Sequence, residues 1–598
     1  MHRHSIFIAI FFLSLIKISF SQELAGVLRA DTTLTAALSP WRITADVVVP
    51  ASVTLKIEPG CTLYFHDNAG LQIQSGRLVA LGEQENRITL TRRPETSDHW
   101  NGIEFYATLQ ENMLCYADMQ YGDNLGQIID IHRAQVVLDH CTWNSTDRTI
   151  VEVYHPAAII QHCIFPSVDE VEVIHGEYLQ DEEYLILIGN TFGAPLGYND
   201  VIDFTDCKLP GPILQVYDNH FLGGSDDGLD LDGADAYIEG NTFMNFHKGH
   251  DGSSTSNAIA TGLRNGKTSD IVVVRNLFYD NDHAVLLKED CSMQAEHNTF
   301  VKSDSGVINF SEWPDRDVDP GKGATFSGNI FWDYGLAFRN QFSQPGERDP
   351  VISFSYGIID ASQHALGVQN SDQDPQFIGG RDFHLKPTSP AIGAGPNGLD
   401  IGAYVPAGAS ISGEPSDTTT QTNATLTIGG PGIVSYKFVL NDPHAQWSEE
   451  RSIVVEPSIV LEDLLPDQFH TVYVKGKSVV GWQGNPDYAV SKTWFITDSP
   501  APVHMAAASL PVAYRLYDAY PNPCNENTII QFDLPAQQRV RIDIYDALGR
   551  SVAVLKDENM PAGTFRIKVN GQEWPTGVYY YQMIAGDFKQ AKRLILVH

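Results

Sequence analysis

Apolar and polar residues alternate along residues 47–82, VVVPASVTLKIEPGCTLYFHDNAGLQIQSGRLVALG, and turn residues recur about every ten positions. Alternation with a period of two is typical of a strand that buries one face. Many short strands at this spacing indicate an all-β fold. The pattern continues to residue 405, where the composition shifts to Gly, Ser, Pro and Thr, as in a linker.

A short turn motif recurs along this first region: a cysteine or asparagine is followed two residues later by an aromatic residue. The repeated positions are Cys141, Cys163, Asn190, Asn219, Asn241, Asn276, Asn298 and Asn329. Their separations lie between 22 and 35 residues, which indicates a coil of constant length with insertions of variable length. We expect the asparagines to point inward and to hydrogen-bond their equivalents one coil away, with the aromatic rings stacked beneath them.

These repeats, together with WNGIEF at Trp100–Phe105, resemble right-handed parallel β-helix proteins. The resemblance implies such a solenoid over residues 22–405. A linker at 406–423 would lead to strands of alternating pattern at 424–498, which resemble a fibronectin type III or related β-sandwich module.

A second linker, residues 499–512, precedes a C-terminal segment at 513–598. Its YPNP, IYDALGR and GVYYY motifs and its basic-then-apolar tail resemble the C-terminal sorting domain of type IX secretion cargo. The resemblance implies recognition by that secretion machinery and export to the cell surface or beyond. Residues 1–21, with His2 and Arg3 before an apolar run, predict a signal peptide, and no segment is long and apolar enough to span a bilayer.

The net charge of −35 argues against a nucleic-acid partner, because phosphate binding needs a basic surface. Seven cysteines without close metal-ligand spacing are expected to be small core residues, with no disulfide framework. We expect the exported protein to be a monomer.

One stretch, GGSDDGLDLDG at Gly223–Gly233, concentrates four carboxylates. Strand periodicity would bury Leu229 and Leu231 and leave Asp230 and Asp232 on the opposite side. Carboxylates this close repel one another unless a cation lies among them, and hard oxygen ligands favour Ca²⁺. A solvated acidic turn would give the same local pattern.

Alignment of successive coils places Asp203 beside Asp230. An aspartate on one coil with Asp-Asp-Gly-x-Asp on the next resembles the calcium site of family nine pectate lyases. The resemblance implies Asp203, Asp226, Asp227 and Asp230 as calcium ligands. It also implies a uronate-containing polysaccharide as the substrate and β-elimination as the reaction, in which a lysine accepts the proton from C5.

The position at which that family carries its lysine aligns here with Ala260. Lys288, Lys267 and Arg264 are the remaining basic candidates. The alignment continues the Ala260 column through Leu286 to Ile308.

Substrate contacts are predicted at Asp232, His283 and Trp313, and Trp332 and Tyr334 are further aromatic residues that could stack on sugar rings. Two alternatives stay open: a noncatalytic carbohydrate-binding protein that keeps a structural calcium site, and a polysaccharide hydrolase.

Overall fold

The computed structural model describes residues 22–197, 199–248, 256–312, 319–341, 349–484, 486–497 and 513–596, the last range with gaps at 518, 520, 521, 523, 525, 526, 547–549, 561, 573 and 587. The predicted signal peptide, the second linker and Trp313 lie outside the described residues. The chain divides into two compact units, residues 1–497 and 498–598.

The first unit begins as a parallel β-helix whose coils have three faces. The first face consists of Thr32–Leu34, Thr54–Ile57, Arg77–Leu81, Asn112–Cys115, Gln135–Asp139, Ala157–Gln161, Tyr184–Ile188, Leu214–Tyr217, Ala236–Glu239, Asp270–Val274, Ser292–Glu296, Gly323–Ser327 and Val351–Ser355. The second face consists of Thr62–Phe65, Ile88–Arg92, Ala117–Gln120, Thr142–Asn144, Ile164–Phe165, Thr191–Phe192, His220–Phe221, Thr242–Met244 and Ile330–Tyr334.

The third face consists of Leu71–Gln74, Ile103–Tyr106, Gln127–His132, Thr149–Tyr154, Ile174–Glu177, Ile202–Thr205, Leu229–Asp232, Asn257–Gly262 and Phe338–Arg339. Four strands lie along both the second and the third face: Gln22–Val27, Trp41–Val49, Leu277–Leu287 and Thr299–Asn309. The last two are the longest, and each is continuous over both faces. Short 3₁₀ turns are Ala36–Leu38, Ala361–Leu366 and Pro396–Gly398, and an antiparallel hairpin is formed by Phe377–Gly379 and Asp382–Leu385. The predicted parallel β-helix is thereby confirmed.

The predicted asparagine ladder forms at the turn between the first and second faces. The Asn219 backbone N–H and Nδ2 donate to Asn241 Oδ1 at 2.8 and 2.9 Å, and Asn219 Nδ2 also donates to the Leu187 carbonyl. The same arrangement links Asn190 to Asn219 and continues to Asn329. Because these side chains are buried, water cannot hydrogen-bond to their amide groups, and the ladder satisfies them instead.

The aromatic rings of the same motif stack along the core, as predicted. From Phe165 to Phe300 the successive ring centroids are 4.5–5.1 Å apart, and the planes differ by 6–14°. Phe331 ends the stack in an edge-to-face contact with Phe300. The seven cysteines are all buried and free, in agreement with their interpretation as core residues.

A β-sandwich of mostly antiparallel strands completes the first unit. Its strands are Ser410–Ser412, Thr418–Thr419, Ala424–Gly429, Ser435–Leu440, Arg451–Ser452, Ser458–Leu461, Gln468–His470, Val472–Ser478, Gly481–Trp482, Ala489–Val490 and Trp494–Ile496. The first two fall within the predicted linker 406–423 yet pair with Ala424–Gly429 and Trp494–Ile496, so the sandwich begins earlier than predicted. The Gly432 N–H donates to Glu296 Oε2 of the β-helix at 2.8 Å.

The second unit is a separate pair of antiparallel sheets. Its strands are Arg515–Leu516, Asn527–Leu534, Gln538–Asp546, Ser551–Met560, Gly563–Asn570, Gly577–Ala585 and Phe588–Leu596. Ile542, Tyr581 and Met583 are fully buried in its core. Among the described residues, no helix has the length and hydropathy needed to cross a membrane.

Candidate functional site

The aspartate-rich strand Leu229–Asp232 lies on the third face, between Ile202–Thr205 and Asn257–Gly262. Leu229 and Leu231 are fully buried, so alternation directs Asp230 and Asp232 outward, as predicted. The register pairs Asp203 with Asp230 and Asp230 with Ala260, which confirms the alignment of these three coils.

An additional aspartate joins this cluster. Asp200, Asp226 and Asp227 each offer a carboxylate oxygen, and these oxygens lie within 4.8 Å of one another. The Asp227 N–H donates to Asp200 Oδ1 at 3.0 Å. Burial, reinforced by the neighbouring carboxylates, raises the pKa of Asp200 and of Asp227 well above the usual range. Sequence reasoning missed Asp200, although DVIDFT aligned with DGLDLD places it next to Asp227.

Asp230 and Asp232 leave part of their carboxylates without partners. Oδ1 of each is buried and has no hydrogen-bond partner among the described residues. Burial, followed by the charge of Asp232, raises the pKa of Asp230 to about 7. Orphaned carboxylate oxygens beside a compact aspartate triad fit a hard divalent cation such as Ca²⁺, because oxygen atoms are the ligands this ion takes. Asp200, Asp226, Asp227 and Asp230 are the residues that would hold it.

Asp203 has a different environment from the other aspartates. Its Oδ2 lies 3.8 Å from His175 Nε2, and His175 Nδ1 lies 2.7 Å from Glu152 Oε1. Burial raises the pKa of Asp203 to about 6, while the hydrogen bond to Glu152 raises the pKa of His175 to about 9. The structure therefore gives Asp203 a histidine neighbour, whereas Asp200, which was not predicted, lies beside Asp226 and Asp227.

Lys288 reaches the cluster across a glycine. Asp232 pairs in register with Gly262, and a Cβ atom at Gly262 would overlap Asp232 Oδ1 and lie 3.0 Å from Lys288 Cε. Lys288 Nζ also lies 3.4 Å from Glu312 Oε2. Burial opposes the ammonium charge, but Asp230, Glu312 and Asp232 outweigh burial and hold the pKa of Lys288 above its ordinary value. Gly262 is therefore what allows a lysine two coils away to approach Asp232.

The other two basic candidates are paired with carboxylates. Lys267 Nζ lies 2.8 Å from Asp206 Oδ1, and Arg264 Nη2 lies 3.4 Å from Glu177 Oε2. Both side chains are about half exposed. Burial raises the pKa of Asp203 and of Asp232, and the charge of Arg264 opposes this rise, so Arg264 borders the cluster.

His283 does not face solvent, contrary to its predicted role in substrate contact. Its exposed fraction is 0%, and its Nε2 lies 3.3 Å from Arg339 Nη1. Burial lowers its pKa to about 4, so it is a neutral core residue. A register shift between Asn281 and His283 also moves the next coil by one residue, so Leu286 pairs with Asn309 and the predicted stacking of Ile308 in that column is wrong.

Two further columns continue along the third face towards the N-terminus, and sequence reasoning missed both. Asp130 pairs in register with Glu104 on one side and Glu152 on the other, which forms a row of carboxylates. Tyr106, His132 and Tyr154 occupy the parallel column, with ring centroids 5.0 and 4.7 Å apart. An acidic row thus lies beside an aromatic row, and the acidic column continues through His175 to Asp203.

Residues 518–597 match the family model described as the secretion system C-terminal sorting domain. This domain directs the chain to the extracellular space or the cell surface, which confirms the prediction for the C-terminal segment. A search of curated proteins found no match.

Solved structures similar to this chain include a pectate lyase, a phage tailspike and latent PorU. Pectate lyase Pel9A is 11% identical and has a TM-score of 0.30, with 64% of this chain and 97% of that chain covered. The tailspike of E. coli bacteriophage HK620, solved with a pentasaccharide, is 10% identical, with a TM-score of 0.27 and coverage of 79% and 84%. Latent PorU from Porphyromonas gingivalis is 13% identical, with a TM-score of 0.13, and 32% of this chain spans only 20% of that one.

Proposed function

We propose that the protein is a secreted, calcium-dependent polysaccharide lyase that cleaves a uronate-containing polymer by β-elimination. The observation that carries this proposal is the approach of Lys288, across Gly262, to an outward-facing aspartate cluster. In that cluster the Oδ1 atoms of Asp230 and Asp232 are buried and have no hydrogen-bond partner among the residues that the structure describes. A cation site and a basic side chain on one open face are the two elements that this reaction needs.

Asp200, Asp226, Asp227 and Asp230 would hold the cation. When bound, Ca²⁺ would offset the negative charge of the uronate carboxylate and so lower the cost of removing the proton at C5. Lys288 Nζ would accept that proton, and the C4 oxygen would leave as the C4–C5 double bond forms. Without the cation, the charges of the neighbouring carboxylates keep Lys288 protonated, so it cannot accept a proton. We therefore expect the protein to be inactive after chelation.

The test incubates the full chain with polygalacturonate, alginate and other uronate polymers, with calcium or with chelator, and records the ultraviolet absorbance of the unsaturated product. Lys288→Met is expected to lower kcat by about 100-fold or more, as the loss of a general base does. Lys267→Met is the matched control, since this lysine lies nearby but is paired with Asp206. Absence of unsaturated product from every uronate polymer would refute the lyase.

The second candidate is a calcium-stabilised protein that binds polysaccharide without cleaving it. Ala260 favours it, because this alanine occupies the position next to Asp230. A flat absorbance trace together with a calcium-dependent rise in Tm would support it. New reducing ends without ultraviolet absorbance would instead indicate a hydrolase.

A further inference from the structure

A cavity opens at the C-terminal end of the β-helix. It has a volume of about 510 Å³ and lies between the strand Ile330–Tyr334 and the hairpin that contains Phe377 and Phe383. Trp332 pairs in register with Val301 on the second face. The cavity is thus on a different face from the aspartate cluster, and a ligand here would not occupy the candidate active site.

Two aromatic side chains line this cavity. Trp332 and Tyr334 lie on either side of Asp333, whose φ of 53° turns the chain between them. The Asp360 N–H donates to the Tyr334 hydroxyl at 3.1 Å, which fixes that ring. Both residues are only partly buried, so they offer ring surface to a ligand.

The polar part of the lining is acidic. It consists of the exposed residues Asp333, Asp360, Asp372 and Asp382. The described residues that line the cavity include no lysine, arginine or histidine. An anionic sugar would be repelled here, whereas hydroxyl groups would find carboxylate acceptors.

We propose that this cavity binds uncharged sugar units of a polysaccharide. Trp332 and Tyr334 would stack on the apolar faces of the sugar rings, and the carboxylates would accept hydrogen bonds from the hydroxyl groups. The volume lies within the range of ligand sites, about 300–1,000 Å³. A small ammonium ion is the alternative occupant that the test separates, because cation–π recognition also uses aromatic faces. This site is independent of the proposed lyase activity.

The test titrates the full chain, in the presence of chelator, with xylohexaose, cellohexaose and mannohexaose, with trigalacturonate, and with choline. Isothermal calorimetry is expected to detect binding of at least one neutral hexasaccharide. Trp332→Ala should weaken it about tenfold, which corresponds to the loss of one ring stack. Trigalacturonate and choline should not bind.

Trp332 also packs against the hydrophobic cluster that contains Ile330, so its replacement could disturb the fold. Asp372→Asn is therefore the second variant, since Asp372 is exposed, and we expect it to weaken binding several-fold. Asp374→Asn is the matched control, because Asp374 lies two residues away and does not line the cavity. Binding weakened in both variants and unchanged in the control supports the proposal. No binding of any neutral hexasaccharide, binding that both variants retain, or binding of choline or trigalacturonate alone overturns it. Since calcium is absent throughout, none of these results depends on lyase activity.

Discussion

Two columns of polar side chains run from coil to coil in the β-helix. They differ in whether the side chains of a column satisfy one another's hydrogen-bonding groups. In the asparagine ladder, Oδ1 of every asparagine from Asn219 to Asn329 accepts two hydrogen bonds from the asparagine one coil earlier, one from its backbone N–H and one from its Nδ2. In the aspartate cluster, carboxylates lie beside carboxylates, and the Oδ1 atoms of Asp230 and Asp232 have no hydrogen-bond partner among the described residues.

The chemical difference explains the two roles. An amide carries both donors and acceptors, so a stack of asparagines can close its hydrogen bonds internally. An ionised carboxylate only accepts, so a stack of aspartates needs a donor or a cation from elsewhere. The ladder stabilises the coil stacking, whereas the cluster costs stability and leaves binding capacity for an ion or a substrate.

Exchanging amide and carboxylate in the ladder should give the largest effect. Asn241→Asp keeps the shape but removes the donor that serves Val216 O and Asn276 Oδ1, and it places a buried charge beside an acceptor. We expect a loss of about 3–5 kcal/mol of stability, as for other uncompensated buried charges. Urea denaturation followed by circular dichroism measures it.

Asn144→Asp is the control for this exchange, because Asn144 is exposed at the end of the strand Thr142–Asn144. It should change stability by less than about 0.5 kcal/mol. An equal effect at both positions would show that the ladder has no special role.

The reverse exchange in the cluster should have the opposite sign. Asp227→Asn keeps an oxygen to accept from the Asn257 N–H and Nδ2 but removes one buried charge. In chelator the variant should be more stable than the wild type. With calcium at about 100 times its Kd, the wild type should gain about 2.7 kcal/mol and the variant much less. Calorimetric Tm with and without calcium measures both effects.

Asp181→Asn, at an exposed aspartate, should leave the calcium response unchanged. If calcium stabilises the wild type and Asp227→Asn equally, the cation binds elsewhere.

The ladder was predictable from sequence because its motif recurs in register, and each copy has the same role. Asn190 to Asn329 and the phenylalanine stack could thus be placed without a structure. The cluster was only partly predictable, since it occurs once: the Asp-Asp-Gly-x-Asp motif located the coil but did not reveal that Asp200 joins Asp226 and Asp227. The burial of His283 depends on a bulge between two long strands, which no residue type marks.

Gly262 connects the cluster to its lysine and can be tested without changing any charge. Its φ is not in the left-handed region, so Gly262→Ala introduces no backbone strain, but the new methyl group overlaps Asp232 and crowds Lys288. If the protein is a lyase, kcat/KM should fall about tenfold to a hundredfold, as displacement of catalytic groups does. Gly484→Ala, where a Cβ atom would have no neighbour within 4 Å, is the control. Unchanged kcat/KM in Gly262→Ala would show that the approach of Lys288 to Asp232 is not used.

The smallest effect is expected at Asp130, because this residue belongs to the acidic row but lies several coils from the cluster. Burial, together with the charges of Glu104 and Glu152, raises its pKa to about 6. Since this value exceeds that of the unfolded chain, about 3.9, ionisation favours unfolding, and the cost develops between pH 4 and 6 and persists above. Asp130→Asn should therefore be more stable than the wild type by about 1 kcal/mol at pH 7, with the side chain's partial exposure taken into account, and equal to it at pH 3.5. Urea denaturation at a series of pH values measures the difference, with the exposed Glu111→Gln as control. A stability difference that does not change with pH would mean that Asp130 is not strained by its neighbours, and that self-repulsion is confined to the cluster.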